Sequence, residues 1–241
     1  MDELKDKVAI VTGGGRGLGA AICRNLADAD AIVVAADIGW EYAKGVAEEM
    51  RLLGKRVEPM ELDVGREDQV EKAVNSVMER HGTIDVLINN AGTDVTRSIE
   101  DLAVSDWDRI LSVNLRGPFL MAKAVFPIMK RQGCGYVINV ASTAAKRAWA
   151  NAAAYHASKW GLLGFTHALH VEARPYNIKV SALVVGGMRT PFLLERFPDI
   201  DVKSLQDPAN VAETVRFLLR QPDGTVLPEV MVLSMGETSW P

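Results

Sequence analysis

The glycine run Gly13-Gly14-Gly15-Arg16-Gly17-Leu18-Gly19 constrains this chain more than any other stretch. It stands between the β-branched run Lys7–Thr12 (KVAIVT) and the helical pattern AAICRNLADAD. Six residues without polar alternation read as a strand buried on both faces. Glycines directly behind it permit a tight turn into a helix, and strand, turn and helix together open a βαβ unit. The alternation then repeats. Further strands are expected at Ala31–Ala36, Arg56–Leu62, Asp85–Asn89, Tyr136–Val140, Lys179–Val185 and Val230–Leu233. Helical patterns cover Trp40–Leu53, Glu67–Arg80, Trp107–Arg131, Asn151–Arg174 and Pro208–Leu219, with Pro118 expected to kink the third. The expectation is α/β: one domain over residues 1–241, with a doubly wound, seven-stranded parallel sheet covered by helices on both faces.

A chain of 241 residues that is 48% hydrophobic buries a core without crosslinks. A formal net charge of −4 argues against a general nucleic-acid binder. Cys23 and Cys134 have no metal-ligand spacing, which suits a reducing compartment. His167 and His170 lie three apart on a helix with no third ligand nearby, so no metal is expected. The opening MDELKDKVAIVTGG leaves no room for a signal peptide, and no apolar run approaches a membrane span. A cytoplasmic protein without membrane or nucleic-acid partners is expected.

In doubly wound sheets, ligands sit beyond the C-terminal ends of the strands, where strand order reverses. The chemistry-bearing residues fall at those ends. The glycine loop would present backbone N–H groups and a helix N-terminus to a phosphate, and there is no G-K-S/T to suggest triphosphate hydrolysis. Asp37 closes the second strand and can accept hydrogen bonds from an adenosine ribose. Its charge repels a 2′-phosphate, which favours NAD over NADP. Arg16 pulls toward NADP, and Asp37 is given more weight because it stands directly at the ribose. Tyr155 and Lys159 are four apart in an Ala-rich helical stretch and so share a face. The ammonium is expected to lower the phenol's pKa and bring it toward the range of an acid/base catalyst. Lys146 and Arg147 could attract an acidic substrate or remain solvated loop charges.

Six motifs in order carry a resemblance: T-G-G-G-R-G-L-G (Thr12–Gly19), Asp63-Val64, N-N-A-G (Asn89–Gly92), V-N-L (Val113–Leu115), Ser142 and Y-H-A-S-K (Tyr155–Lys159). Over nearly its full length the chain resembles the short-chain dehydrogenase/reductase family. That resemblance implies a Rossmann-type fold and hydride transfer between a nicotinamide cofactor and an alcohol or carbonyl substrate. Cofactor contacts are implied for Gly13, Arg16, Gly17, Leu18, Gly19, Asp37, Ile38, Asp63, Val64, Asn90, Ala91, Gly92, Tyr155, Lys159, Gly186, Met188 and Thr190. Tyr155 would be the acid/base and Ser142 would hold the substrate oxygen. Lys159 would hold the nicotinamide ribose, and Asn114 would support a water in a relay to it. Two departures stand out. Val185 replaces the proline that usually stiffens the turn after strand six, which implies a more mobile loop. Leu233–Glu237 replaces a usual acidic-Gly-Gly ending, leaving the packing of the tail at a subunit interface open.

The reading is an NAD-dependent alcohol dehydrogenase or carbonyl reductase with a substrate loop around residues 186–207. Its rivals are an NADPH-dependent 3-oxoacyl (acyl-carrier-protein) reductase and a non-catalytic dinucleotide-sensing regulator. The long helices imply a homotetramer, with a dimer as the fallback.

Overall fold

In a computed structural model, which describes residues 4–237, the seven expected strands are present. They are β1 (Val8–Thr12), β2 (Ile32–Asp37), β3 (Val57–Glu61), β4 (Val86–Asn89), β5 (Gly135–Val140), β6 (Ile178–Val185) and β7 (Glu229–Val232). Their order is β3-β2-β1-β4-β5-β6-β7 and all pairings are parallel. The chain winds outward from β1 to β3, then returns to place β4 on the other side of β1. The crevice therefore opens between β1 and β4.

Eight helices carry the crossovers among the described residues: α1 (Gly17–Asp28), α2 (Trp40–Leu52), α3 (Glu67–His81), α4 (Val104–Leu111), α5 (Gly117–Gln132), α6 (Ala153–Ala173), α7 (Pro191–Leu194) and α8 (Pro208–Leu219). On one face of the sheet, α1, α2 and α8 bury Ile22, Leu26, Met50 and Leu218. On the other, α3, α5 and α6 bury Val77, Met121, Val125 and Leu169. Each large side chain so buried contributes about 1.5–3 kcal/mol.

Two boundaries differ from expectation, for local reasons. The helical pattern of Trp107–Arg131 is two helices, α4 and α5, joined by a π-helical turn at Ser112–Arg116. Pro118 lies in the first turn of α5, and its missing N–H cannot serve the carbonyl of Asn114. The hydrogen-bond ladder therefore widens over the five preceding residues instead of kinking at the proline. Pro127 also lies inside α5. The Tyr155 helix starts at Ala153, because Asn151 adopts a left-handed conformation (φ 64°), which Asn tolerates better than most residues.

The turn after β6 is tied at several points despite Val185. Gly186 N–H donates to Val232 O (3.0 Å), Gln206 N–H to Gly187 O (3.1 Å) and Gly187 N–H to the Glu237 carboxylate (2.9 Å). The tail thus returns to brace this turn within its own chain. No helix among the described residues is long and apolar enough to cross a membrane.

Candidate active site

A cleft of about 430 Å³ runs across the C-terminal ends of the strands. Its first half is built from backbone. Gly13 has φ +63°, and a Cβ there would stand 2.9 Å from the Ala91 Cα, so only glycine lets the β1 and β4 loops approach this closely. The hydroxyl of Thr12 accepts the N–H groups of Asn90 (3.0 Å) and Ala91 (3.1 Å), locking the two loops together. Gly19 packs directly against the Gly13 carbonyl and does not reach the cleft; its part is to let α1 start close to β1.

Asp37 sits at the end of β2 with one carboxylate oxygen on Gly15 N–H (3.0 Å) and the other on Gly39 N–H (2.9 Å). Each oxygen keeps a lone pair, and the residue lines the cleft. Gly39 is the N-cap of α2, so Asp37 both steadies that helix start and faces the cleft. Ile38, Asp63 and Val64 line the same end. Arg16 is half-exposed, lies over the Tyr42 ring (5.3 Å) and pairs with Glu195 (3.4 Å). Leu18, Gly17, Asn90, Ala91 and Gly92 continue the lining toward Tyr155, Lys159, Met188 and Thr190.

The second half is built from side chains. Tyr155, on α6, shares a hydrogen bond with the Ser142 hydroxyl, which also accepts Ala144 N–H (3.1 Å). Lys159, one turn on, is buried, lies 5.7 Å from the Tyr155 ring centroid and donates to Val140 O (2.8 Å). The expectation that Lys159 lowers the Tyr155 pKa is corrected here. Enclosure by protein pushes the phenol up to about 12, against a smaller lowering by the Ser142 bond. Burial likewise pulls Lys159 down to about 8. The ammonium is aimed at the Val140 carbonyl, and desolvation disfavours the charged form of both groups.

Asn114, in the π-helical turn, is fully buried. Its amide donates to Thr93 O (2.8 Å) and Ser158 Oγ (3.1 Å), and its oxygen accepts Thr93 N–H (2.8 Å). The side chain thus ties the loop after β4 to α6 and does not line the cleft. Gly186 also stays behind the lining, packed against Glu237. His156, beside Tyr155, faces away from the cleft. It joins Ala144 O (2.9 Å), accepts Trp149 N–H (3.1 Å) and so clamps the loop that follows Ser142. Lys146 is paired with Glu229 (2.7 Å) and Arg147 is also engaged, so neither is a spare cation. His167 meets the same Glu229 (3.2 Å).

Sequence reasoning passed over Asp94 and Arg196. They form a partly buried ion pair joining the loop after β4 to the residues just past α7, 102 positions apart. Phe192 of α7 faces the Tyr155 ring (centroids 6.0 Å apart), and the Arg196 guanidinium lies 4.1 Å from the Phe192 centroid. No local pattern announces a pair so distant in sequence.

A cleft of this shape at this switch point matches known proteins. Residues 7–201 fit the model of the short chain dehydrogenases. The chain is 34% identical to trans-4-hydroxycyclohexanecarboxylate dehydrogenase of Sinomonas cyclohexanicum, over 99% of this chain and 95% of that protein. It is 31% identical to the 3-oxoacyl-acyl-carrier-protein reductase of Thermotoga maritima, over 97% and 98% of the two chains. It superposes on the crystal structure of a metagenomic short-chain oxidoreductase in complex with NADP. That match has a TM-score of 0.85 and 32% identity, over 95% of this chain and 97% of the other. The chain belongs to the short-chain dehydrogenase family. It is thus an oxidoreductase with a nucleotide-binding Rossmann fold, of a family that binds NAD(P).

Proposed function

We propose that this protein is an NAD(H)-dependent oxidoreductase that interconverts an alcohol with a ketone or aldehyde, with Tyr155 as the acid/base. One observation carries the reading: the Tyr155 hydroxyl is bonded to Ser142 beside the Lys159 amine, in a cleft whose far end holds Asp37. The lining fits an extended dinucleotide. Asp37 has lone pairs left for ribose hydroxyls, and the Gly13 close approach leaves room for a pyrophosphate at the start of α1. A nicotinamide held there would supply hydride exchange with the carbinol or carbonyl carbon.

In the oxidative direction, the Tyr155 phenolate accepts the alcohol proton as the carbon–oxygen double bond forms. In reduction, the phenol returns that proton. Ser142 donates to the substrate oxygen and stabilises its developing charge. Lys159, one turn from Tyr155 and anchored on Val140 O, holds the ribose. Asn114 acts by fixing the Thr93 segment and α6 relative to each other. Residues 186–207, including α7, form the substrate loop.

Asp37 favours NAD, and the pairing of Arg16 with Glu195 supports that preference by occupying the cation a 2′-phosphate would need. The second reading, an NADPH-dependent 3-oxoacyl reductase, draws on Arg16 lining the cleft. Titration with both cofactors separates them, and tighter NADPH binding would reject the NAD assignment. A homotetramer, or failing that a dimer, is supported by the exposed aromatic residues Phe119 and Trp160 on α5 and α6. A stable monomer in sedimentation would count against it.

The deciding experiment is Tyr155→Phe. Turnover falls about 10³-fold, within the usual range for losing a general acid/base, while NAD affinity is unchanged. Retained turnover would refute the acid/base role. A dinucleotide sensor, by contrast, would be indifferent to the substitution.

A further inference from the structure

The region around Tyr155 is apolar: Val140, Ala141, Val185, Pro191 and Phe192 line it. A substrate carrying a carboxylate would need a cation at its rim, and each nearby arginine is already neutralised. Arg16 is paired with Glu195 (3.4 Å), Arg109 with Asp106 (2.9 Å) and Arg196 with Asp94. The first two pairs are exposed and weak. The third differs: the Asp94 side chain is 7% exposed and that of Arg196 21%. The guanidinium is held between the Phe192 and Phe197 rings (4.1 and 5.6 Å) and also donates to Phe192 O (2.8 Å). Asp94 accepts its own neighbour's N–H, from Val95 (2.8 Å), and directly follows the cleft-lining Thr93. The charges of both Asp94 and Arg196 are felt at the Tyr155 hydroxyl.

We propose that the Asp94–Arg196 pair determines substrate charge: it closes α7 over the substrate side and restricts this site to neutral, apolar alcohols and ketones, excluding hydroxy acids. The inference rests on the functional reading above. Asp94, directly behind the cleft-lining Thr93, neutralises Arg196, which lies against the cleft-lining Phe192, so the pair offers a carboxylate no net positive charge. Removing the negative partner leaves an unpaired, partly buried guanidinium against the cleft-lining Phe192. That is the arrangement for bidentate capture of a carboxylate. Asp94 and Arg196 are thus specificity-determining residues, whereas the chemistry stays with Tyr155.

The test compares two ring compounds that differ only in the carboxylate, cyclohexanol and 4-hydroxycyclohexanecarboxylate, for binding and for turnover with NAD. Binding is followed by calorimetry with and without NAD, in the full-length wild type, Asp94→Asn and the Asp94→Asn/Arg196→Met double variant. Wild type is expected to favour the neutral ring by at least about tenfold. In Asp94→Asn the carboxylate compound improves relative to cyclohexanol by about tenfold or more, in a tighter Kd and a lower KM, over and above any change that loosening α7 imposes on both compounds. The double variant, which lacks both charges of the pair, loses that relative gain. A wild type that prefers the carboxylate, or a folded Asp94→Asn with no gain for it, overturns the proposal. If neither alcohol is turned over but the binding pattern holds, the proposed reaction fails and the charge assignment stands.

Discussion

The cleft has two halves made by different means. From Gly13 to Asp63 the wall depends on backbone: a left-handed glycine, two loops in close approach and a lock by the Thr12 hydroxyl. From Val140 to Phe192 it is largely side chains, held from behind by pairings between segments far apart in the chain. A backbone cradle tolerates little variation in the residues that form it. A side-chain wall can be rebuilt one residue at a time without disturbing the sheet. The first half suits a ligand shared across a family, and the second suits one that differs between members.

The sharpest way to break this contrast is Gly13→Val. A β-branched residue at φ +63° with its Cβ against Ala91 costs at least about 3 kcal/mol through strain and overlap. Both the melting temperature and NAD affinity are expected to fall together. Phe192→Ala, in the other half, is expected to leave NAD affinity alone and raise only the substrate KM. If Gly13→Val melted and bound NAD like wild type, the backbone account of the first half would be wrong.

Lys159→Met probes the side-chain half through stability. The folded-state pKa of about 8 lies below the ordinary 10.5, so burying the ammonium is a burden on the folded state at neutral pH. As pH rises from about 8 toward 10.5, the folded protein releases this proton first, and the burden disappears. Lys159→Met should therefore be more stable than wild type by up to about 3 kcal/mol at neutral pH, with the gain shrinking to nothing by pH 10.5. Tyr155 acts in the opposite sense: raised to about 12, it makes the folded state lose stability as pH climbs from 10 toward 12. Melting curves at stepped pH read both. A Lys159→Met gain that did not change with pH would mean that packing, and not charge burial, produced it.

The same division explains what could be read from the residues alone. Each strand lies within one residue of its expected bounds, and the central ones are continuous apolar runs, as buried parallel strands are. The glycine loop and Asp37 were legible for a similar reason: backbone geometry restricts which residue types fit, and so marks the sequence. The acidity of Tyr155 was not legible. Helical spacing says that Lys159 shares its face, but not that the amine turns to Val140 or that both groups are starved of water. Asp94 and Arg196 left no local mark, because neither residue type is unusual in a loop and only the fold brings them together. The π-helical turn was half-visible, since Pro118 announced a disturbance but not its position four residues upstream at Asn114.

Asp37→Asn asks whether the backbone half also carries cofactor choice. The amide keeps one acceptor for the loop N–H groups but removes the charge, and hydrogen bonds to a charged group are worth about 1.5–3 kcal/mol. NAD affinity is expected to drop about tenfold, with NADP much less affected, so that the preference narrows. An equal loss for both cofactors would relegate Asp37 to capping α2 and holding Gly15.

The smallest effect expected is that of Glu195→Gln, where the two halves touch. Glu195 directly follows α7, in the proposed substrate loop, and Arg16 belongs to the glycine turn; their pair is the only ion pair among the described residues that joins these two segments. Both partners are half-exposed or more, so the pair itself is worth at most about 1 kcal/mol. Freed from Glu195, Arg16 stays close to the Tyr42 ring and becomes available to a 2′-phosphate. NADP affinity should rise by no more than about fivefold, NAD affinity should not move, and the gain should vanish in high salt. Asp37→Asn and Glu195→Gln act on the same phosphate from two elements, one by removing repulsion and one by releasing attraction, so their effects on NADP should add. A double variant no better than Asp37→Asn alone would show that Arg16 does not reach the cofactor, leaving the substrate loop without influence on the backbone half.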